Sequence, residues 1–264
     1  MRSTIIAIAV LALVSTHDLS AQSAPAEKQP PVRPAAPQKV PAAQRGYVFL
    51  GGGYSIGAND FTEQTSSRAN AEDGSRRVEY SVAGGPGFTV GSGVRLWKQL
   101  GMRVGISRFS LSTPAALELS VPHPFFFNRP RTTSGSVEGL SREELSVTLS
   151  AAGTMALGRR MVISLFAGPS WLQISQGTVT AVAYSDTYPY DSIALGPVTT
   201  KQNSASKVAF GAGADLSIYL SKRFGVAATA QFSRATVDLP SGESTTQIRA
   251  GGPRVGLGVV LKIP

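Results

Sequence analysis

From Gly46 onward, apolar side chains recur at every second position, a period of two that returns in eight separate stretches and leaves few folds open. Val208, Phe210, Ala212, Ala214, Leu216, Ile218 and Leu220 share one face of a stretch whose other face is Lys207, Ala209, Gly211, Gly213, Asp215, Ser217 and Tyr219. Near the end, Val255, Leu257, Val259, Leu261 and Ile263 oppose Arg254, Gly256, Gly258 and Lys262. The eight stretches fall at about 46–57, 80–96, 102–112, 142–157, 161–175, 207–220, 224–237 and 249–263. Each is long enough for the roughly 9–11 residues a tilted strand needs to cross a bilayer. The alternation changes phase near Ser107 and Arg108, which predicts a bulge there. Residues 163–174 are ambiguous in phase, and Pro169 interrupts them.

The connections sort strictly by length. Residues 97–101, 158–160 and 221–223 are tight, whereas 58–79, 113–141, 176–206 and 238–248 are long, and the two kinds alternate along the chain. A soluble sandwich has no use for that asymmetry; a transmembrane barrel has short turns on one side and long loops on the other. The expectation is therefore all-β: an eight-stranded antiparallel up-and-down transmembrane β-barrel with short periplasmic turns, long extracellular loops and both termini periplasmic. Its apolar faces carry almost no charge and would meet lipid, while the Gly, Ala, Ser and Thr faces would fill a narrow interior. The phase points Arg95, Glu144, Asp215, Arg254 and Lys262 into the lumen, with Arg103 near its periplasmic end. Alternating signs on neighbouring strands predict an ion-pair network that plugs the lumen, since an unpaired ion there would be costly. Tyr47, Phe49, Tyr54, Tyr80, Trp97, Trp171, Tyr219 and Phe224 lie near strand ends, where interfacial girdles form.

The first residues read as an address. Arg2 precedes an apolar run over residues 5–14, and Ser20-Ala21-Gln22 offers small residues for cleavage, the layout of a secretory signal peptide over 1–21. Ten apolar residues fall short of the ~20 a spanning helix needs. Residues 22–45 hold six prolines and no aromatic residue, so they should form an extended periplasmic tether, leaving 46–264 for the barrel.

With these features the chain resembles the small bacterial outer-membrane β-barrel domain family of the OmpA and OmpX type. The resemblance rests on the signal peptide, the eight-segment pattern, the glycine-rich runs Gly84-Gly85-Pro86-Gly87 and Gly211-Ala212-Gly213, and the alternating stretch at 255–263. It implies a Gram-negative cell envelope, with outer-membrane lipids, lipopolysaccharide and the outer-membrane assembly machinery as partners. Such barrels usually end in an aromatic residue that the machinery reads, whereas this sequence ends Leu261-Lys262-Ile263-Pro264, so that signal is only partly present. Nothing indicates an oligomer.

Composition excludes much chemistry. The chain has no cysteine and two histidines, which removes disulfides, thiolate metal sites, a cysteine nucleophile and a histidine-rich centre. No metal or cofactor is expected. His123 is the one histidine beyond the signal peptide and the sole candidate base for a lipid-modifying hydrolase, but it is boxed by two prolines with no serine two residues on. Glu143 and Glu144, or Asp186 and Asp191, offer only acidic residues without a motif. The net charge of +9 is scattered over turns, loops and lumen, without the basic stripe and interleaved aromatics of nucleic-acid binding. One loop stands apart: His123, Phe125, Phe126, Phe127, Arg129 and Arg131 lie in a proline-stiffened stretch with three adjacent phenylalanines. It reads as a lipid- or partner-docking patch, or as a lid folded over the barrel mouth. No catalytic residue is assigned. The reading is a structural or surface-interaction barrel acting through its loops, with a narrow passive pore as the alternative and a lipid-modifying enzyme as the second.

Overall fold

The computed structural model describes residues 45–57, 59–241 and 244–263, so the expected signal peptide and, apart from Arg45, the tether lie outside the described residues. Ten strands follow one another: β1 (Gly46–Ser55), β2 (Phe61–Ala69), β3 (Glu72–Tyr80), β4 (Gly85–Trp97), β5 (Leu100–Val121), β6 (Arg131–Ala156), β7 (Met161–Asp186), β8 (Ile193–Tyr219), β9 (Phe224–Ser241) and β10 (Ser244–Ile263). Eight of them, all but β2 and β3, form an antiparallel ring that β10 closes on β1, from Gly46 opposite Ile263 to Ser55 opposite Arg254. Closure leaves the ring no free edge, which is what an apolar surrounding demands of a sheet.

The outer wall is apolar over a limited height. On β9 the outward residues are Phe224, Val226, Ala228, Ala230 and Phe232, and Arg234 comes next. Eight residue steps at about 3.3 Å and a ~40° tilt give roughly 20 Å, close to the ~25 Å band of a membrane barrel. Val208 and Leu257 on this wall are 70% and 73% exposed. At the border of the band away from the tight turns, Arg108 on β5 and Glu143 on β6 pair across the outer wall at 2.7 Å.

Beyond that border the strands do not stop. The expected long loops 113–141 and 176–206 are mostly strand, reduced to short tips between Val121 and Arg131 and between Asp186 and Ile193. Most of 58–79 folds as the β2–β3 hairpin, turning at Asn70 and Ala71, both with positive φ as a tight hairpin turn requires. β3 then adds to the upper part of β5, Ser75 opposite Ser120 and Tyr80 opposite Ala115. The expected segment 80–96 is accordingly two pieces, since Tyr80 ends β3 and β4 begins at Gly85. These extensions build a cap with its own interior: Val78, Tyr80, Ala115, Leu117, Leu140 and Val179 are buried together. Ile174, Val237, Leu239, Ile248 and Ala250 form a second group, and Phe61 packs against both.

The apolar phase therefore inverts along each long strand. In the band, Ile106, Leu165, Phe232 and Val255 face out; in the cap, Leu117, Leu172, Val237 and Ile248 face in. That inversion corrects the bulge expected near Ser107 and Arg108: both ladders of β5 run regularly there, and the shift against β6 lies between Thr113 and Ala115. The phase changes because the surroundings change from lipid-like to water outside, not because the backbone slips. It also accounts for the ambiguity of 163–174. Pro169 sits on the outer face, where the β6–β7 ladder breaks between Thr148–Ser170 and Ala151–Ala167. The girdle expectation is corrected in half its members. Tyr54, Trp97, Trp171 and Phe224 lie on the outer wall, whereas Phe49, Tyr80 and Tyr219 are buried and Tyr47 packs inward with Phe49 and Tyr219. Inward glycines make room for these rings: a Cβ on Gly93 would come within 2.5 Å of the Tyr47 ring, and one on Gly51 within 2.6 Å of Phe49.

Candidate functional site

Inside the ring, inward-facing charges fall into two groups. In the upper group, Arg142 of β6 donates from Nη2 and Nε to Glu144 Oε1 at 2.7 and 3.1 Å, from Nη1 to Gln176 Oε1 at 3.2 Å, and from Nη2 to the Arg249 carbonyl at 2.9 Å. Glu144 Oε2 accepts from Arg254 Nη2 at 3.0 Å and from the Gly251 N–H at 3.1 Å. Arg254 Nη1 donates to Ser107 Oγ at 2.7 Å. One carboxylate thus joins β6 to β10 across the interior with both oxygens used. The lower group pairs Arg103 Nη2 with Asp215 Oδ2 at 3.3 Å, with the guanidinium 3.7 Å from the centre of the Phe166 ring. Lys262 lies 3.7 Å over the Tyr219 ring, and neither it nor Arg95 has an ion-pair partner among the described residues.

Of the six residues placed in the lumen from sequence, Glu144 and Arg254 meet, Arg103 and Asp215 meet, and Arg95 and Lys262 stay at the turn end. Arg142, the largest fully buried side chain, was missed, although it shares the parity of Glu144 two positions away. Two interior cavities flank these groups, about 30 Å³ beside Tyr47, Asp215 and Tyr219 and about 20 Å³ beside Phe109, Thr229 and Arg254. The first has room for two or three waters and the second for one or two, at about 10–15 Å³ apiece.

The loop patch divides into anchors and display. His123 is buried, and its Nδ1 accepts the N–H groups of Phe125 and Phe126 at 3.1 and 3.2 Å, so it caps the turn. Its Nε2 is buried without a hydrogen-bond partner, leaving no face for a substrate. Arg131, also buried, donates to Asp186 Oδ2 at 3.0 Å, the Tyr190 carbonyl at 3.1 Å and the Pro122 carbonyl at 3.2 Å, tying the β5–β6 tip to the β7–β8 tip. Asn128 N–H donates to Glu72 Oε1 at 2.7 Å, which ties in the β2–β3 hairpin. On this base Phe125, Phe126 and Phe127 are 69%, 55% and 74% exposed, beside Tyr188 at 82%. Phe125 meets Tyr190 edge-on, and Arg129 lies over Phe126 while pairing with Asp191 at 3.4 Å. Sequence reasoning missed Tyr188 and Tyr190, because only the hairpin architecture brings the two tips together. Among the described residues no group of His, Asp and Glu is placed to hold a metal.

A closed eight-strand ring with an apolar outer wall and a polar, ion-paired interior defines the class of small membrane-type β-barrels. Similar solved structures include neisserial surface protein A (12% identity, 83% of this chain and 97% of that one, TM-score 0.41). The outer membrane protein OprG from Pseudomonas aeruginosa is similar at 8% identity over 83% and 97%, TM-score 0.40. Ail, the attachment invasion locus protein of Yersinia pestis, solved with the heparin analogue sucrose octasulfate, is similar at 10% identity over 82% and 99%, TM-score 0.34. No family model matches the chain, and no curated protein does.

Proposed function

We propose that this chain is an outer-membrane barrel, closed to solute flow, that acts at the cell surface through its cap. The observation that carries the reading is the exposed aromatic tip, Phe125, Phe126, Phe127 and Tyr188, held on the buried anchors His123 and Arg131. Large apolar rings kept in water on a rigid base are the pattern of a contact surface rather than of a packed lid. From Arg108 at the band's border to Val121 the strand rises thirteen residues, about 30 Å at ~3.3 Å per residue and a ~40° tilt. The tip thus stands well clear of the barrel's own bilayer, which favours an extracellular partner over the headgroup docking considered from sequence. The two ion-pair groups and the water-sized cavities support a plugged lumen over a narrow pore. Outer-membrane lipids, lipopolysaccharide and the assembly machinery remain the envelope partners of this reading, with the tight turns on the periplasmic side.

The absence of cysteine makes the test direct. In intact cells, a membrane-impermeant maleimide should label Asn128→Cys, and should label Arg159→Cys, in the exposed β6–β7 turn, only after the outer membrane is permeabilised. The reverse pattern would sink the orientation. Purified protein in planar bilayers should give no conductance steps; steady single-channel steps would replace this reading with the pore.

A further inference from the structure

Charges at the upper border of the apolar band are not all alike. On β5 and β6, Arg108 and Glu143 neutralise one another at 2.7 Å. On β9 and β10, Arg234 and Arg249 also face outward and are exposed, yet neither side chain has a partner among the described residues. Arg234 lies opposite Gly251 and Arg249 opposite Thr236, so the two arginines are diagonal neighbours whose backbones stand about 7–8 Å apart. The Arg249 backbone is held from within, since its carbonyl accepts Arg142 Nη2 at 2.9 Å. Asp238 lies on the other diagonal from Arg249 but pairs with Lys207 at 3.8 Å, so the two flexible side chains can bring their guanidiniums onto one phosphate, each offering its N–H fork.

Further down the same wall runs a groove. Ala228 and Ala230 on β9, Ala214 on β8 and Gly52 on β1 form its shallow floor, while Leu257, Val255 and Leu216 stand beside it, enclosing about 600 Å³. Phe232 lies between this groove and the arginines, opposite Ala212 on β8 and Pro253 on β10. A slot floored by small residues within the hydrocarbon band suits a hydrocarbon chain, because the floor lets the chain approach the backbone closely and gain dispersion contact.

We infer that the outer wall of β8, β9 and β10 is a binding site for an anionic lipid with a terminal phosphate-monoester headgroup, in the leaflet next to the cap. Its phosphate sits between Arg234 and Arg249, and one acyl chain lies in the groove over Ala228 and Ala230. The inference rests on the barrel being membrane-embedded, and it assigns the site a ligand class. The charge decides the occupant: a second copy of this wall would bring two more unpaired arginines against these two.

The experiment is native mass spectrometry of the full-length barrel released from micelles containing equal amounts of dioleoylphosphatidate and dioleoylphosphatidylcholine. The unmutated protein should retain phosphatidate at least tenfold more than phosphatidylcholine, a comparison independent of any variant's folding. Arg234→Gln with Arg249→Gln should abolish the preference, whereas Arg159→Gln with Arg160→Gln at the turn end should leave it intact. Ala228→Phe with Ala230→Phe, which fills the groove, should lower phosphatidate retention several-fold. Equal retention of the two lipids, loss of the preference in the turn-end variant alone, or full displacement by millimolar inorganic phosphate would each overturn the inference. So would a dimer that replaces the lipid adduct. A barrel that keeps its maleimide pattern and heat-modifiable gel shift but shows no lipid preference overturns this inference only; loss of those two properties overturns the reading beneath it.

Discussion

Replacing Glu144 with alanine should be the most damaging single change inside the barrel. Its side chain is 3% exposed and holds Arg142, which is fully buried, and Arg254, which is 9% exposed. It also accepts the Gly251 N–H. Removing one partner of a buried ion pair costs about 3–5 kcal/mol, because the remaining charge is left desolvated. An orphaned buried N–H adds roughly 1–3 kcal/mol. The two arginines share one carboxylate, so these losses overlap, and a total near 5 kcal/mol is expected. Arg142→Leu, Glu144→Leu and Arg254→Met together remove every charge of this group and should cost less than the single change, roughly the 1–3 kcal/mol of the Gly251 N–H that is still left orphaned. Urea unfolding in lipid vesicles, followed by the heat-modifiable gel shift and by fluorescence of Trp97 and Trp171, measures both. A Glu144→Ala barrel within ~1 kcal/mol of the parent would show that water, not the carboxylate, stabilises the arginines. The same inference would fail if the triple apolar variant were as unstable as the single one.

Gly93→Ala would put a Cβ 2.5 Å from the Tyr47 ring, so it should destabilise by about 1–3 kcal/mol. Adding Tyr47→Leu should recover most of that loss in the same unfolding assay, and additive losses would show that the ring is not the obstacle. In the cap, burial pushes the Tyr80 phenol well above its ordinary range, partly offset by the Val179 N–H that it accepts at 2.9 Å; its own O–H donates to Glu63 Oε2 at 3.2 Å. A raised phenol favours the fold while it stays neutral, so its contribution is complete below about pH 10 and is lost as pH climbs beyond that value. Proteolytic cleavage of the cap should therefore accelerate above pH 10 in the parent, and much less so, relative to its own rate at pH 8, in Tyr80→Phe; equal acceleration in both would remove Tyr80 from the account.

The eight wall strands and the inward parity of Glu144, Asp215 and Arg254 were legible because one environment governs each face throughout the band. Above it that rule reverses. Leu117, Val179 and Leu239 follow the same strands with the opposite phase, so a reading tuned to outward apolar residues ended the strands where lipid ends and took the rest for loops. The β2–β3 hairpin was hidden for a different reason: only Phe61, Val78 and Tyr80 carry its apolar pattern, and they pack against residues more than thirty positions further along. In the tip, the three phenylalanines were visible in sequence. The roles of His123 and Arg131 as anchors were not, because their partners are backbone groups and a carboxylate that only folding brings near.

The inversion of phase also fixes how deep the barrel sits. Sinking the wall by two residues along each strand would carry Arg108, Glu143 and Arg234 about 5 Å into hydrocarbon, at roughly 1 kcal/mol for each basic residue that close to the interface and more with every further step. Rising by the same step would lift Phe232, Phe210 and Ile106 into water at no gain, since the cap's own apolar residues already face inward. The chain thus encodes a waterline, drawn residue by residue where one set of faces stops being greasy and the other begins, and it holds the exposed phenylalanines of the tip at one fixed distance from the bilayer.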